Sequence, residues 1–324
     1  MRLNVAYGCG DEYSRHAGVS MISLFENNKE FEEIVVYMID AGMNDNSKKT
    51  LIQICENYNR TIEFIDCSEL CGHIELDIAN GRYTIATYSK LFFGKIPGID
   101  KIIYFDCDTT ITGSLKMLWE KNIDDYYVAG VWDDAAPRLK RAVGITSEDK
   151  YINCGFVLMN LKLWREDKME EKALSFIRKF NGNVPFLDQG IINGICKGRI
   201  LILPPEYDLM SYMFMFKAKE IARLCDLEKM YSQEEINYAI NNPIMIHWVD
   251  GCYNRPWNLE CTHPLKDIYL KYLDMSPWKG QMLSKKLNKK TKIIRLVYLI
   301  TPFCIFSMLR KLSDERKGKI VNEK

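Results

Sequence analysis

Two carboxylates separated by one residue follow a short apolar stretch of the chain. Asp106 and Asp108 come directly after Lys101–Phe105 (KIIYF), whose composition is typical of a buried strand. Ligand sites in open α/β sheets form at the C-terminal ends of the strands, so we expect both side chains in a pocket. Carboxylate oxygens suit Mg²⁺ or Mn²⁺, and such a cation could neutralise a leaving diphosphate. Taken alone, the pair could equally cap the backbone of the following turn.

A histidine ends a second apolar run. His247 closes the segment IMIH and is followed by Gly251 and Arg255. An isolated histidine in such a run is more often a core residue than a ligand. Beside two carboxylates, however, an imidazole would favour Mn²⁺ over Mg²⁺. Gly251 would then allow a ligand close to the backbone and Arg255 would bind phosphate, although Arg255 could instead form a surface ion pair.

The segments around these residues alternate between strand and helix patterns. Strands are predicted at 3–7, 34–39, 61–65, 101–105, 127–132, 151–161, 200–203 and 244–249, and helices at 19–25, 46–58, 83–94 and 168–180. Asn46 is expected to open the second of these helices. The alternation predicts an α/β protein with parallel strands and helices on both faces of the sheet.

Seven separated stretches together resemble glycosyltransferase family 8, most closely its bacterial lipooligosaccharide and lipopolysaccharide galactosyl- or glucosyltransferases. They follow the family's order and spacing over about residues 1–275, which makes a chance match improbable. The stretches are GDEY (Gly10–Tyr13), YMIDAGM (Tyr37–Met43), TYSKLFFGKI (Thr87–Ile96), IIYFDCDTTITGSLKMLW (Ile102–Trp119), YINCGFVLMNLKLWR (Tyr151–Arg165), FLDQGIINGICKG (Phe186–Gly198) and HWVDGCYNRPW (His247–Trp257).

The resemblance implies a fold and an activity. The fold is the GT-A fold, in which helices flank a Rossmann-like mixed sheet. The activity is transfer of a hexose, galactose or glucose, from a UDP-sugar to a saccharide acceptor with retention of anomeric configuration. The implied cofactor is Mn²⁺ or Mg²⁺, and the implied acceptor is a lipid-linked glycan of lipopolysaccharide or another cell-surface polymer.

The resemblance also implies roles for individual residues. Asp106, Asp108 and His247 match the metal ligands, while Asp188 and Gln189 match the catalytic positions. Whether Gln189 is a nucleophile or the acceptor attacks from the leaving-group side stays open, since an amide is a weak nucleophile. The residues expected to bind the nucleotide or donor sugar are Gly8, Gly10, Asp11, Tyr13, Lys90, Asp106, Cys107, Asp133, Asn153, Cys154, Gly155, Gly251 and Arg255.

Three positions depart from the common family pattern. Gly10 stands where close relatives often have an Asp facing the uracil, so base recognition is expected from backbone groups or Asp11. Lys90 replaces the Arg that is common in the family, and Arg255 replaces the common Lys. Both substitutions keep the positive charge but change the hydrogen-bonding geometry of the side chain. Each remaining position also has a plain structural interpretation: Asn153 and Gly155 as a turn or bulge, Tyr13 as a core aromatic, Asp188 and Gln189 as a helix start.

Composition narrows the class and the compartment. The chain has 324 residues, which suits one catalytic domain with an appendage. Its formal net charge of +1 argues against nucleic acid as a partner. Eleven cysteines without CxxC pairs indicate a reduced compartment, and the segment MRLNVAYGCG lacks the apolar stretch of a signal peptide. Cys252, Cys261 and His263 could suggest zinc, but their spacing fits no common site.

Charge is segregated at the end of the chain. Beyond Leu283 there are about a dozen Lys and Arg against three Asp and Glu, around the apolar segment Ile293–Leu309. We expect residues 1–282 to form the GT-A catalytic domain and 283–324 a basic amphipathic tail on an anionic membrane surface. The protein is thus expected in the cytoplasm, peripheral on the inner face of the cell membrane. Alternatively, the tail packs on the catalytic domain.

Other functions remain possible at this level. A sugar nucleotidyltransferase would carry an N-terminal Gly-rich loop with Arg and Lys, which MRLNVAYGCGDEYSRH lacks. An inactive carbohydrate-binding protein predicts loss of the metal ligands, whereas Asp106, Asp108 and His247 are present. A self-glucosylating primer of the same family stays open among eighteen tyrosines.

Overall fold

The computed structural model describes residues 1–72, 85–133, 135–227, 230–249, 253–283, 289–310 and 312. Its strands are β1 (Arg2–Cys9), β2 (Glu33–Asp40), β3 (Thr61–Asp66), β4 (Lys101–Phe105), β5 (Thr109–Ile111), β6 (Val128–Gly130), β7 (Phe156–Asn160), β8 (Ile200–Ile202), β9 (Leu209–Met210) and β10 (Met245–His247). They form a seven-stranded sheet in the order β3-β2-β1-β4-β7-β6-β8 and a three-stranded sheet in the order β5-β10-β9.

Helices cover the sheet and its edges. They are α1 (Asp11–Asn27), α2 (Asp45–Asn57), α3 (Cys67–Cys71), α4 (Lys116–Trp119), α5 (Pro137–Ala142), α6 (Leu161–Glu166), α7 (Met169–Lys179), α8 (Leu187–Ile195), α9 (Ala218–Cys225), α10 (Gln233–Asn241), α11 (Lys266–Asp274) and α12 (Lys289–Ile300). Three 3₁₀ helices span Ile85–Lys95, Pro205–Tyr207 and Ser211–Phe214.

Two local predictions are wrong. The sequence predicts that Asn46 opens α2, but Asn44 caps this helix and Asn46 lies inside it. The side-chain oxygen of Asn44 accepts a 2.8 Å hydrogen bond from the Ser47 amide. The predicted helix at 83–94 is a 3₁₀ helix over Ile85–Lys95, and its first two residues lie outside the described residues. Apolar spacing does not separate these two helix types over so short a segment.

The main sheet is mixed. Strands β1 to β4 run parallel, whereas β7 runs antiparallel to both β4 and β6. The prediction of parallel strands is therefore wrong for β7, and the mixed sheet implied by the family resemblance is confirmed. All five residues of β7 are buried, and a strand buried on both faces carries no alternation that would reveal its direction.

Alternation along β1 divides the apolar core into two layers. Leu3, Val5 and Tyr7 are buried with α1, while Ala6 is buried on the opposite face with the 3₁₀ helix Ile85–Lys95. Because successive side chains of a strand point to opposite faces, this one strand contributes to both layers. The result is a helix–sheet–helix sandwich with a packed core on each face of the sheet.

The small sheet joins the chain after β4 to the chain near residue 247. β5 begins directly after Asp108 and pairs antiparallel with β10, with His247 opposite Thr109. β10 also pairs parallel with β9, which begins directly after Asp208. Three acidic or imidazole side chains are thereby placed at one end of this sheet.

The amphipathic segment Ile293–Leu309 is interrupted. It forms α12 and a second helix at 303–310, with Pro302 between them. Proline lacks the amide donor that a helix interior requires, so it ends the first helix and suits the start of the second. In the part of the chain that the structure describes, no helix has both the length and the apolar character needed to cross a membrane.

One side of the segment 289–310 contacts the preceding part of the chain. Phe306 is buried, and its ring centroid lies 5.7 Å from that of Phe216. The Lys292 ammonium lies 3.5 Å from the Glu260 carboxylate. Other apolar side chains of the tail are exposed, namely Ile293, Leu296, Leu299, Ile300, Ile305, Met308, Leu309 and Leu312. The tail therefore docks partly and still presents an apolar surface.

Candidate functional site

Three potential metal ligands converge at the end of β4. Ligand atoms of Asp106, Asp108 and His247 all lie within 4.8 Å of one another. The Nε2 atom of His247 is 3.4 Å from Oδ1 of Asp108 and 3.8 Å from Oδ2 of Asp106. The short sheet produces this arrangement, because the Trp248 amide donates a 2.8 Å hydrogen bond to the Asp108 carbonyl beside it.

A fourth acidic residue orients the imidazole. Asp208 is fully buried, and its Oδ1 lies 3.1 Å from Nδ1 of His247. A carboxylate on Nδ1 leaves Nε2 directed at the other two carboxylates, as in many metal-bound histidines. Burial disfavours the charged imidazolium and would lower the pKa of His247. The carboxylates of Asp208 and Asp108 outweigh burial and raise this pKa well above its ordinary value. Burial also raises the pKa of Asp208.

The cluster fits a divalent cation. Two carboxylates and one imidazole form a mixed oxygen and nitrogen donor set that suits Mn²⁺. Gly155 keeps the space beside them clear, because a Cβ atom there would lie 2.2 Å from Cε1 of His247 and 2.7 Å from Oδ2 of Asp106. The Gly155 carbonyl also accepts a 2.6 Å hydrogen bond from the Asp106 amide, which fixes the first carboxylate.

Arg255 reaches the cluster from the loop after β10. Its Nη1 lies 2.9 Å from Oδ2 of Asp108 and donates a 3.1 Å hydrogen bond to the Tyr13 hydroxyl. The guanidinium also lies over the Trp257 ring, 5.4 Å from its centroid. Burial would raise the pKa of Asp108, but Arg255 and His247 outweigh it and hold that pKa well below its ordinary value. Arg255 is therefore near the cluster and not in a remote ion pair.

The first strand and helix supply the expected nucleotide side of the site. Gly10 precedes α1, and the Asp11 carboxylate accepts a 3.1 Å hydrogen bond from the Asn44 amide. That bond lowers the pKa of Asp11. The Cys107 sulfur lies 3.8 Å from the Gly8 carbonyl oxygen. Tyr13 is 41% exposed, so its ring is available at the rim and the core-aromatic interpretation does not hold.

A buried ion pair forms the floor on the other side. The Lys90 ammonium lies 2.6 Å from the Asp188 carboxylate and donates a 2.9 Å hydrogen bond to the Cys154 carbonyl. Burial opposes the charge of Lys90, but Asp188 and Asp106 outweigh it and raise the pKa of the ammonium. Lys90 also lies 4.0 Å from the Tyr104 ring centroid, and the Tyr104 hydroxyl donates a 2.8 Å hydrogen bond to Asp106. This chain of contacts connects the ion pair to the carboxylate cluster.

Gln189 is held by three partners. Its Nε2 donates a 2.5 Å hydrogen bond to Asp133, and a 3.4 Å contact joins it to the Tyr151 hydroxyl. Its Oε1 accepts a 3.1 Å hydrogen bond from the Cys154 amide. The side chain is half-buried, so it is both fixed and accessible. Such a residue can orient a sugar or stabilise charge that develops beside it.

The backbone before Gln189 is strained. Phe186 and Leu187 have φ values of 61° and 54°, in the left-handed region that bulky residues rarely adopt. Each such residue costs on the order of 1 kcal/mol and persists only when its surroundings impose it. The strain places Asp188 and Gln189 in the first turn of α8, facing the site from different directions.

Most predicted site residues lie together. Contacts or adjacency in the chain connect the residues predicted for metal, nucleotide and sugar, which are Gly8, Gly10, Asp11, Tyr13, Lys90, Asp106, Cys107, Asp108, Asp133, Asn153, Cys154, Gly155, Asp188, Gln189, His247 and Arg255. Gly251 lies outside the described residues, as does Cys252 of the zinc alternative. Sequence reasoning missed Asp208, which belongs to no spacing pattern, and Tyr104, which it placed only as an apolar residue of the run KIIYF.

Comparison with known proteins identifies the class. Residues 4–261 match the model of Glycosyl transferase family 8, and the chain belongs to that family. It is 28% identical over 274 residues to General stress protein A of Bacillus subtilis (strain 168), covering 83% of this chain and 92% of that relative. It is 27% identical to a lipopolysaccharide 1,2-glucosyltransferase of Escherichia coli (strain K12), covering 86% and 79%.

A solved structure identifies the fold. The galactosyltransferase LgtC in complex with donor and acceptor sugar analogs superposes with a TM-score of 0.68 at 18% identity, covering 90% of this chain and 99% of that one. The chain therefore has the GT-A fold, and the predicted α/β class with a mixed sheet flanked by helices is confirmed. The family resemblance is confirmed as well.

Proposed function

We propose that this glycosyltransferase is a retaining, Mn²⁺-dependent hexosyltransferase that moves galactose or glucose from a UDP-sugar to a saccharide acceptor. The observation that carries the proposal is the convergence of Asp106, Asp108 and His247 at the end of β4, with Asp208 orienting the imidazole. A bound Mn²⁺ or Mg²⁺ would act there as a Lewis acid for the leaving diphosphate.

The residues around the cluster have complementary roles in this proposal. Tyr13 stacks on the uracil, and backbone groups near Gly8, Gly10, Cys107 and Gly251 contact the nucleotide, with Asp11 beside the base. Arg255 exchanges its contact with Asp108 for the diphosphate, because a guanidinium binds phosphate oxygens through paired hydrogen bonds.

The sugar lies against the buried ion pair. Asp188, whose carboxylate lies 2.6 Å from the Lys90 ammonium, binds sugar hydroxyls, together with Asp133 and Asn153. The amide of Gln189 lies on the face opposite the leaving group, where it stabilises positive charge that develops at the anomeric carbon. Donor hydrolysis and transfer would then share one arrangement of residues.

The relatives support the choice of acceptor. Several are lipopolysaccharide glucosyl- or galactosyltransferases by name, from Escherichia coli and Salmonella typhimurium. We therefore propose a lipid-linked saccharide of lipopolysaccharide or another cell-surface glycan. In this proposal residues 1–282 are catalytic, and residues 283–324 bind the cytoplasmic face of an anionic membrane through basic residues and exposed Leu296 and Leu299.

Hydrolysis of a panel of nucleotide sugars tests the proposal without any acceptor. We expect release of UDP from UDP-galactose or UDP-glucose in Mn²⁺, and none in chelator. Hydrolysis that continues in chelator would contradict metal dependence, and cleavage of a nucleoside triphosphate with sugar phosphate would indicate a nucleotidyltransferase. Intact mass measured after incubation with donor would reveal self-glucosylation as an added hexose.

A further inference from the structure

A cavity lies between α5, α9 and the tail helix 303–310, with a volume of about 570 Å³. Four arginines line it: Arg138 and Arg141 from α5, Arg223 from α9 and Arg310 from the tail. Asp226 is the one acidic residue among its described lining residues. We call this cavity the basic pocket.

Two arginines of the basic pocket, Arg138 and Arg141, receive little neutralisation from the residues that the structure describes. Arg141 lies 3.6 Å from Asp226, but both side chains are largely exposed, at 62% and 70%, so water and salt screen this pair. Nε of Arg138 is enclosed and has no hydrogen-bond partner within the described parts of the chain. An enclosed donor without a partner is costly, and an anion that accepts from it would remove that cost.

The remaining wall of the basic pocket is apolar. Pro137, Leu224 and Met308 line it, and Met308 is 56% exposed. Arginine side chains bind phosphoryl oxygens through paired hydrogen bonds, whereas the apolar wall suits hydrocarbon or the carbon face of a sugar. The lining therefore selects a ligand that carries a phosphoryl group on an amphiphilic body.

The basic pocket adjoins the candidate active site. Cys225, which lies between Leu224 and Asp226, has its sulfur 3.8 Å from the carbonyl of Asp133. The Asp133 carboxylate accepts the hydrogen bond from Gln189. The Lys140 ammonium donates a 2.8 Å hydrogen bond to the Cys225 carbonyl and ties α5 to α9. A ligand in the basic pocket would thus lie next to the residues proposed to hold the sugar.

We propose that the basic pocket binds the phosphoryl group of an amphiphilic saccharide acceptor, whose sugar is thereby presented to the donor. This inference rests on the proposed function, because only a sugar-transferring site gives the adjoining ligand the role of acceptor. The tail has a part in substrate binding, since Arg310 and Met308 close one side of the pocket.

Two matched probes test this inference on the full chain. Octyl glucoside and octyl glucoside 6-phosphate differ only in the phosphoryl group, and calorimetry with UDP and Mn²⁺ present keeps the donor site filled. We expect the phosphorylated probe to bind at least about tenfold more tightly, the difference that one charge-assisted hydrogen bond supplies. R223Q should remove most of that difference. R199Q is the control, because it removes the same charge at Arg199, which pairs with Asp167 outside the basic pocket.

The outcomes separate the pocket from the proposed function. Equal binding of the two probes, or equal binding by wild type and R223Q, overturns the inference. Equal affinity for inorganic phosphate and for the phosphorylated glucoside would overturn the amphiphilic part of it. If the phosphorylated probe discriminates as expected but UDP-sugar is never hydrolysed, the acceptor role fails together with the proposed function. Hydrolysis without discrimination overturns the pocket alone. R141Q provides a second variant if R223Q unfolds at a lower temperature.

Discussion

Substitution of Asp208 by Asn tests how the site orients its imidazole. The change keeps the side-chain volume and removes one negative charge 3.1 Å from Nδ1 of His247. Loss of a carboxylate behind a ligating histidine typically weakens metal binding 10- to 100-fold, which corresponds to about 1.4–2.7 kcal/mol.

The same substitution should have little effect on the free energy of unfolding. Oδ2 of Asp208 is buried without a partner among the described residues, and three carboxylates crowd one imidazole. We therefore expect the metal-free unfolding free energy to change by no more than about 1 kcal/mol.

The two quantities can be measured independently. Electron paramagnetic resonance of free Mn²⁺ in a titration with UDP present gives the metal affinity, and urea unfolding in chelator gives the stability. D167N is a suitable control, because Asp167 pairs with Tyr127 and Arg199 and not with the cluster. Unchanged Mn²⁺ affinity in D208N would refute the orienting role. A loss of several kcal/mol of stability would show that Asp208 serves mainly the fold.

Three further predictions concern single residues. Q189A should lower kcat at least about tenfold and change the donor KM by less than about threefold, because the amide acts on charge formed in the transition state; an effect on KM alone would contradict this. G155A should cost about 1–3 kcal/mol in urea unfolding and weaken Mn²⁺ binding, since its Cβ would overlap His247, and wild-type values for both would be unexpected. Burial lowers the pKa of His16 to about 3 in the folded protein. The unfolded chain therefore binds a proton at His16 at a higher pH than the folded protein does. The free energy of unfolding is complete above about pH 6.5 and falls as the pH drops towards 3. Between pH 7.5 and 5.5 the wild type should lose about 1.4 kcal/mol more than H16Q, and equal losses would contradict the assignment.

Some parts of the fold can be predicted from the sequence and others cannot. The strand before Asp106 and the carboxylates after it are predictable, because a short β-rich apolar run followed by acids has few other uses in an α/β protein. The direction of β7 is not, since burial on both faces is compatible with either direction. The pairing of β10 with β5 and β9 joins distant segments of two or three residues each, which carry no local pattern.

The candidate site shows the same division. His247 could be proposed because its surroundings match a family motif, whereas Asp208 precedes a two-residue strand and resembles any turn acid. Its role arises only when β9 is placed beside β10. The basic pocket was equally hidden, because its arginines lie on three elements that no sequence spacing connects.

The coupling between UDP and Mn²⁺ tests the central claim most directly. Calorimetric titration of UDP into the full chain should show at least about tenfold tighter binding with Mn²⁺ than with chelator. The reason is that the metal-binding side chains of the protein and the diphosphate of UDP would bind the same cation. D108N removes one charged ligand and should abolish this coupling, while D167N should preserve it. Equal UDP affinity with and without Mn²⁺ in the wild type, or full coupling in D108N, would contradict the assignment of Asp106, Asp108 and His247 as the metal site.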